Sequence, residues 1–315
     1  MGDKIFKNLE EQIEILKNKG LVVKDEVFTK EVLLRENYFF LHGYRHPFTK
    51  SLDKEIFIKG TSFEELYSLF CFDRSLRNIF FKNILIIENN IKSIIAYQMS
   101  KKYGYKEKDY LNKKNFNTAP ERNRQVTDLL SKMKRQVTVN APYHSATSHY
   151  LNNYGYIPMW VLVKVLSFGI VSELFSILKK EDQYDIVDLY DLEVIDFISY
   201  LQLLSNYRNL CAHEDILYEN KTQKEIKDNK YHRGLNIPIM DDEYIYGKND
   251  LFALIIILKS LLKPEEFKDM LMEVKHALEN LEYNLKTIPI IKILDRMGFP
   301  ENFEDLIDLE KRGAF

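Results

Sequence analysis

The string Arg208-Asn209-Leu210-Cys211-Ala212-His213 sets a permanently charged group five residues before one that titrates near neutrality. Those two types suit metal-free RNA cleavage. That reaction needs a proton taken from the 2′-hydroxyl, charge neutralised on the phosphorane oxygens, and a proton delivered to the departing 5′-oxygen. Histidine can act as general base or general acid. Arginine grips phosphate oxygens with two parallel N–H donors, and Asn209 can orient either partner or the phosphate. One histidine does not easily perform both proton transfers, which favours a two-fold dimer contributing two motifs.

The elements that must position the pair are readable around it. Phe197, Leu201 and Leu204 form a helical apolar stripe, and Arg208 continues it four residues on. An arginine on such a stripe is costly unless it is paired or opens on a cleft. His213 falls about 140° further round a regular helix, so the two side chains do not share one face. They converge only if the helix bends or ends there, or if a second copy supplies one of them. A structural reading stands beside the catalytic one, because Arg, Asn and His near a helix C-terminus often bond terminal carbonyls and complement the dipole.

Other charged residues fall into two groups. Glu88 interrupts an apolar helical face and could reach Arg208, either as a buried ion pair or to orient the arginine. Asp73, Arg74 and Arg77 fall along the long helical stretch as a candidate structural ion-pair network, with an RNA contact as the alternative. The second group is basic. The formal net charge is −2, but Lys92 to Arg135 holds 12 Lys/Arg against 4 Asp/Glu, which leaves the rest of the chain acidic. Within that segment Lys132, Lys134 and Arg135, preceded by Arg122 and Arg124, are the candidate RNA-binding residues. A solvated helical face is the alternative reading of the same run.

Several chemistries have no support. There is no Gly-rich phosphate loop, no HExxH and no nucleophile elbow. His144 and His149 are read as surface polarity, so neither a metal nor another cofactor is expected. Two cysteines, Cys71 and Cys211, make no disulfide framework. Tyr38, Tyr44, Phe48 and Trp160 are read as packing residues. No apolar run is long enough to span a bilayer and the start carries no apolar signal core, so the expectation is a cytoplasmic protein without membrane contact.

Glycine and proline are scarce, at 11 and 8 among 315 residues, which favours long helices. Periodicity predicts helices over 4–19, 25–41, a long stretch from Leu66 to Met99 behind a Ser62/Glu65 capping box, 121–139, 160–178, 193–218, 250–262 and 265–286. A short helix before Gly298 and a last one in the tail follow. Ser145–Ser148 and residues 219–248 read as loops.

Taken in order, four blocks make the chain resemble the Abi family of bacterial abortive-infection proteins, of the AbiD/AbiF type within the HEPN superfamily. The first is Leu21–Asp25 with Glu36–Tyr44 and Pro47-Phe48. The second is Phe63–Tyr67 with Phe72–Arg77 and Ile87-Glu88. The third is Pro158–Trp160 with Leu166–Gly169, and the fourth is Leu203–His213; Met297–Pro300 is also similar. The resemblance implies an all-α, HEPN-like helical bundle. Residues 1–60 would form an N-terminal extension, 61–287 the main domain with a basic insertion at about 105–150, and 288–315 a C-terminal helical tail. It further implies a toxin-type, metal-independent endoribonuclease in phage defence, with Arg208 and His213 catalytic and Asn209 assisting. The expected products are a 2′,3′-cyclic phosphate and a 5′-hydroxyl. The implied partners are an RNA substrate, a second copy of the chain and, by analogy with RNA-guided nucleases, a small structured regulatory RNA. The alternative is a non-catalytic RNA- or protein-binding module acting as sensor or antitoxin.

Overall fold

Ser62 accepts a hydrogen bond from the Glu65 amide while the Glu65 carboxylate accepts one from the Ser62 amide, closing the capping box that starts the longest helix. In the computed structural model, which describes residues 5–50 and 55–309, that helix (α4, Phe63–Tyr103) runs 41 residues, a span of about 60 Å at 1.5 Å per residue. Leu69, Leu76, Phe80, Ile84, Ile87, Ile91 and Ile95 are buried along it, as their helical spacing requires. Gly104, with φ of +94°, ends it. The other Glu65 oxygen accepts from the amides of Lys286 and Thr287 at 2.6 and 2.7 Å, so the start of α4 is tied to the chain more than 200 residues later.

The fold is all-α around this strut. In chain order the helices are α1 (Leu9–Asn18), α2 (Glu26–Glu36), α3 (Tyr38–Gly43), α4, α5 (Glu107–Tyr110), α6 (Asn123–Asn140), α7 (Ser145–Tyr154), α8 (Met159–Val165), α9 (Phe168–Ile177), α10 (Lys180–Val187), α11 (Val194–Ala212), α12 (Lys230–Gly234), α13 (Leu251–Leu261), α14 (Pro264–Asn284) and α15 (Ile291–Met297). The long helix packs chiefly on α14, α11 and α8. The expected helices 250–262 and 265–286 are present: α14 starts with Pro264 in its first turn, and α13 is buried from Leu251 through Leu258. One continuous core joins α1 and α2 to the main bundle and to α15.

Local chemistry shifts several other boundaries. The expected helix 25–41 breaks at Asn37, which takes φ of +67° and whose side chain accepts from the Phe39 amide to open α3. The expected helix 160–178 divides because Ser167 is extended and caps α9. Ser145–Ser148 is helical, not a loop, since His144 accepts from the Thr147 amide and starts α7. Residues 219–248 are mostly irregular but hold α12 and a two-stranded hairpin, Ile239–Met240 paired with Glu243–Tyr244, turning on left-handed Asp241 and Asp242. The first four residues of the expected N-terminal segment and residues 310–315 of the expected tail lie outside the described residues. No helix among the described residues is long and apolar enough to cross a membrane.

Candidate active site

Helix α11 buries Phe197, Leu201, Leu204 and Tyr207 against α9, α4 and α13. Tyr207 fixes its last turns by donating its hydroxyl to the Asp250 carbonyl at 2.8 Å. The helix stops at Ala212, six residues before the expected end. His213 leaves the helical region, and Glu214 takes φ of +58° and turns the chain away. The helix thus ends at His213, one of the arrangements that the Arg208–His213 spacing left open.

The chain leaving that terminus is held by one buried carboxylate. Asp73 on α4 accepts from the Leu217 amide at 3.0 Å, the Tyr218 amide at 2.7 Å, the Tyr44 hydroxyl at 2.7 Å and the Arg77 guanidinium. Arg77 also donates to the Asp215 carbonyl at 3.3 Å. Burial pushes the Asp73 carboxyl up, against the opposing pull of Arg77 and the amide donors. Sequence reasoning read Asp73 and Arg77 as a scaffold network, and they are one. What it missed is that the network grips the segment that follows His213. Arg74 stands apart from it, paired to Glu36 on α2 at 2.9 Å through one of its terminal nitrogens. Helix α3 lies so close to the same segment that a Cβ on Gly43 would come within 2.7 Å of the Ile216 side chain.

Arg208 and Glu88 meet. The Arg208 Nε lies 3.6 Å from Glu88 Oε2, and its guanidinium lies over the Phe81 ring at 5.6 Å. The other Glu88 oxygen accepts from Lys92 at 2.7 Å. Neither Arg208 Nε nor Glu88 Oε2 makes a hydrogen bond, although both atoms are buried. The Arg208 side chain is nonetheless 35% exposed, so its exposure lies elsewhere than on Nε. No carbonyl accepts from Arg208, Asn209 or the His213 ring among the described residues.

His213 and Asn209 are exposed. His213 lines a cleft of about 1310 Å³ together with Glu214, Asp215, Tyr38, Phe39 and His42. Arg208 is not among the residues lining that cleft, so within one chain the two candidate catalytic side chains open on different surroundings. His42 is a second cleft histidine that sequence reasoning did not single out as a site residue. Burial, then Arg45 and Lys19, push it down to about 4, which keeps it uncharged at neutral pH. Cys211 is no nucleophile, because burial holds its thiol up at about 12.

The basic candidates lie on or beside α6. Lys132 pairs with Glu173 at 3.1 Å, and Arg124 lies 3.7 Å from Asp128. Arg122 donates to Gln125, whereas Lys134 and Arg135 are exposed and unpaired among the described residues. No three His, Cys, Asp or Glu residues among the described ones are arranged to hold a metal ion. Tyr44 and Phe48 are core residues as expected. Trp160 is not, since 46% of it is exposed.

A family model described as Abi-like protein matches residues 31–219, more than half of the chain. The chain belongs to the Abi-like family. The matched region opens on α2, contains all of α4 and α11, and closes at Glu219, just beyond the segment that Asp73 holds. Both partners in the Arg208–Glu88 contact and the whole Asp73 network therefore fall inside the Abi-like region, while α13 to α15 fall outside it. Membership in this family gives the protein an abortive-infection role, the bacterial defence against phage. Searches of curated proteins and of solved structures each found no match.

Proposed function

We propose that this Abi-like protein is a metal-independent endoribonuclease of the HEPN kind that acts in abortive infection. The 2′-oxygen attacks the adjacent phosphorus, the bond from phosphorus to the 5′-oxygen breaks, and a 2′,3′-cyclic phosphate and a 5′-hydroxyl result. The proton lost from the 2′-hydroxyl and the one gained by the 5′-oxygen balance. Arg208 neutralises the phosphorane oxygens, His213 transfers a proton, and Asn209 orients the phosphate. Glu88 acts as a positioning residue that holds the arginine by its Nε edge.

The observation that carries this reading is the incomplete pairing of Arg208. A buried Nε with no hydrogen bond, held 3.6 Å from a carboxylate on a partly exposed side chain, is poor as structural design. It is serviceable as a preorganised anion grip. An exposed His213 at the helix terminus supplies the imidazole. Two copies of the chain would let the arginine of one meet the histidine of the other and would provide two histidines for two proton transfers.

Purified Arg208→Ala and His213→Ala proteins should each lose RNA cleavage by roughly 10²–10⁴-fold and lose growth arrest in cells while melting like the parent. Full cleavage by either variant overturns the assignment. The placement of Arg208 outside the His213 cleft favours one rival, a non-catalytic RNA-binding module. Under it, His213→Ala would be silent, and charge reversal at Lys132, Lys134 and Arg135 would abolish function.

A further inference from the structure

Two concave surfaces could receive a long ligand, and their charge differs. In the His213 cleft, Lys19 and Arg45 are both spent on Glu55, at 2.5 and 2.9 Å, while Glu36, Glu214 and Asp215 add further carboxylates. The other surface is a groove of about 470 Å³ between α4 and α8 that has no carboxylate in its lining. Its floor is small, with Ser93, Ala96 and Ser100 on one face of α4. Its walls are aromatic: Tyr97 is 64% exposed, Tyr105 47% and Trp160 46%.

Three lysines border the groove, and no carboxylate pairs with any of them among the described residues. Lys101 lies 5.9 Å from the centre of the Tyr97 ring, and Lys106 lies over both Tyr105 and Tyr156. Lys164 donates to the neutral amide oxygen of Asn89 at 2.8 Å. The wall of the groove from Ser93 to Tyr105 falls within the Lys92–Arg135 segment that carries the local positive excess. Rings left open to solvent beside uncompensated ammonium groups are the features that bind a single nucleic-acid strand, whose unpaired bases stack while its phosphates find cations.

We propose that this groove holds an unpaired segment of RNA, with Tyr97, Tyr105 and Trp160 stacking on bases and Lys101, Lys106 and Lys164 taking phosphates. The groove lining starts at Ser93 on α4, and Lys164 at its border reaches Asn89, the neighbour of Glu88 in sequence. The assignment of the bound strand as substrate rests on the ribonuclease reading, but the binding itself does not.

Trp160 is the single tryptophan of the chain, so intrinsic fluorescence reports the groove directly. The full-length protein carrying His213→Ala, which leaves RNA uncut, is titrated with a single-stranded RNA oligonucleotide and with the same sequence as duplex. Single-stranded RNA is expected to quench Trp160 and the duplex to leave it unchanged. Tyr97→Ala and Trp160→Ala, each read by the anisotropy of labelled RNA, should weaken single-strand binding on the order of tenfold, and Trp160→Phe should restore most of it. Lys101→Gln with Lys164→Gln should flatten the salt dependence by roughly 0.7 per lost phosphate contact. All of these side chains are exposed, so unchanged melting is expected and is checked by circular dichroism.

No quenching, unchanged affinity in both aromatic variants, or equal binding of duplex overturns the proposal. So does loss of a dimer, rather than of RNA binding, when Tyr97 and Trp160 are replaced, since the groove would then seat protein. If the groove variants lose RNA binding and the parent protein never cuts RNA, the groove stands and the ribonuclease reading falls.

Discussion

Arg77 and Arg208 each meet a carboxylate borne by α4 and an aromatic side chain, and they end in opposite states. Arg77 is 3% exposed and shares Asp73 with Tyr44, while two amides from the segment after His213 occupy the remaining acceptor positions of that carboxylate. Arg208 is an order of magnitude more exposed, its Nε makes no hydrogen bond, and Glu88 divides its charge between it and Lys92. Both arrangements lie within the Abi-like region. The same residue types thus serve two ends. A closed network surrounds its carboxylate with protein donors, whereas an open one leaves a cation available. Closure around Asp73 also makes openness at the helix terminus useful, because it fixes the chain that leaves α11 just after His213.

Removing the closed network should have the largest effect on stability. Asp73→Ala leaves the Arg77 guanidinium buried without a counter-charge and strips acceptors from the Leu217 and Tyr218 amides. Breaking a buried pair from one side costs about 3–5 kcal/mol, and equilibrium denaturation of the variant should lose that much or fail to give a folded baseline. A loss below about 1 kcal/mol would mean the network is not closed in solution.

Asp250 sharpens the contrast from another side, since it is a buried carboxylate bonded only by backbone donors. It accepts from the amides of Gly247 and Ala253, and a Cβ on Gly298 would strike it. Burial, with no bonded cation to offset it, pushes its carboxyl up to about 6 from an ordinary 3.8. Between those values the folded protein keeps a proton that the unfolded chain has released. Its contribution to stability is therefore present at the low end of that window and lost as pH rises through about 6. At about 1.4 kcal/mol per unit the swing is at most ~3 kcal/mol. Comparing the parent with Asp250→Asn by denaturation at pH 5 and pH 7.5 should show this slope in the parent alone. Equal slopes would place the titrating group elsewhere.

Much of the scaffold was legible because its signals are local. The Ser62/Glu65 capping box, the apolar period of α4 and Pro264 at the start of α14 each act within a few residues. The breaks at Asn37 and Ser167 were not, since one left-handed residue and one extended serine interrupt otherwise unbroken apolar patterns. Glu88 and Arg208 could be matched from sequence because each is a charge on an apolar helical stripe, and such charges seek each other. The grip of Asp73 on Leu217 and Tyr218 had no such signal, for it joins positions 144 and 145 residues apart through backbone amides that look alike in any sequence. Trp160 stands among the apolar Met159, Val161, Leu162 and Val163, so its type gives no sign that it faces out. They are indeed buried, and only the phase of α8 against α4 decides that the one aromatic among them faces out.

The smallest expected change in stability tests the open side of the comparison. Arg208→Met keeps the length of the side chain and its packing over Phe81 while deleting a cation whose buried Nε finds no hydrogen bond. Lys92 still neutralises Glu88 at 2.7 Å, so no uncompensated carboxylate is created. Replacing an imperfectly paired buried charge by an apolar group is often neutral or favourable, and the shift in unfolding free energy should stay within about 1 kcal/mol. The same protein should fail to cleave RNA, because a thioether cannot stabilise the phosphorane. A loss of several kcal/mol would make Arg208 a structural residue like Arg77 and erase the distinction between the two networks. Retained stability with lost cleavage would fix the distinction at a single atom group, the guanidinium that α4 holds but does not satisfy.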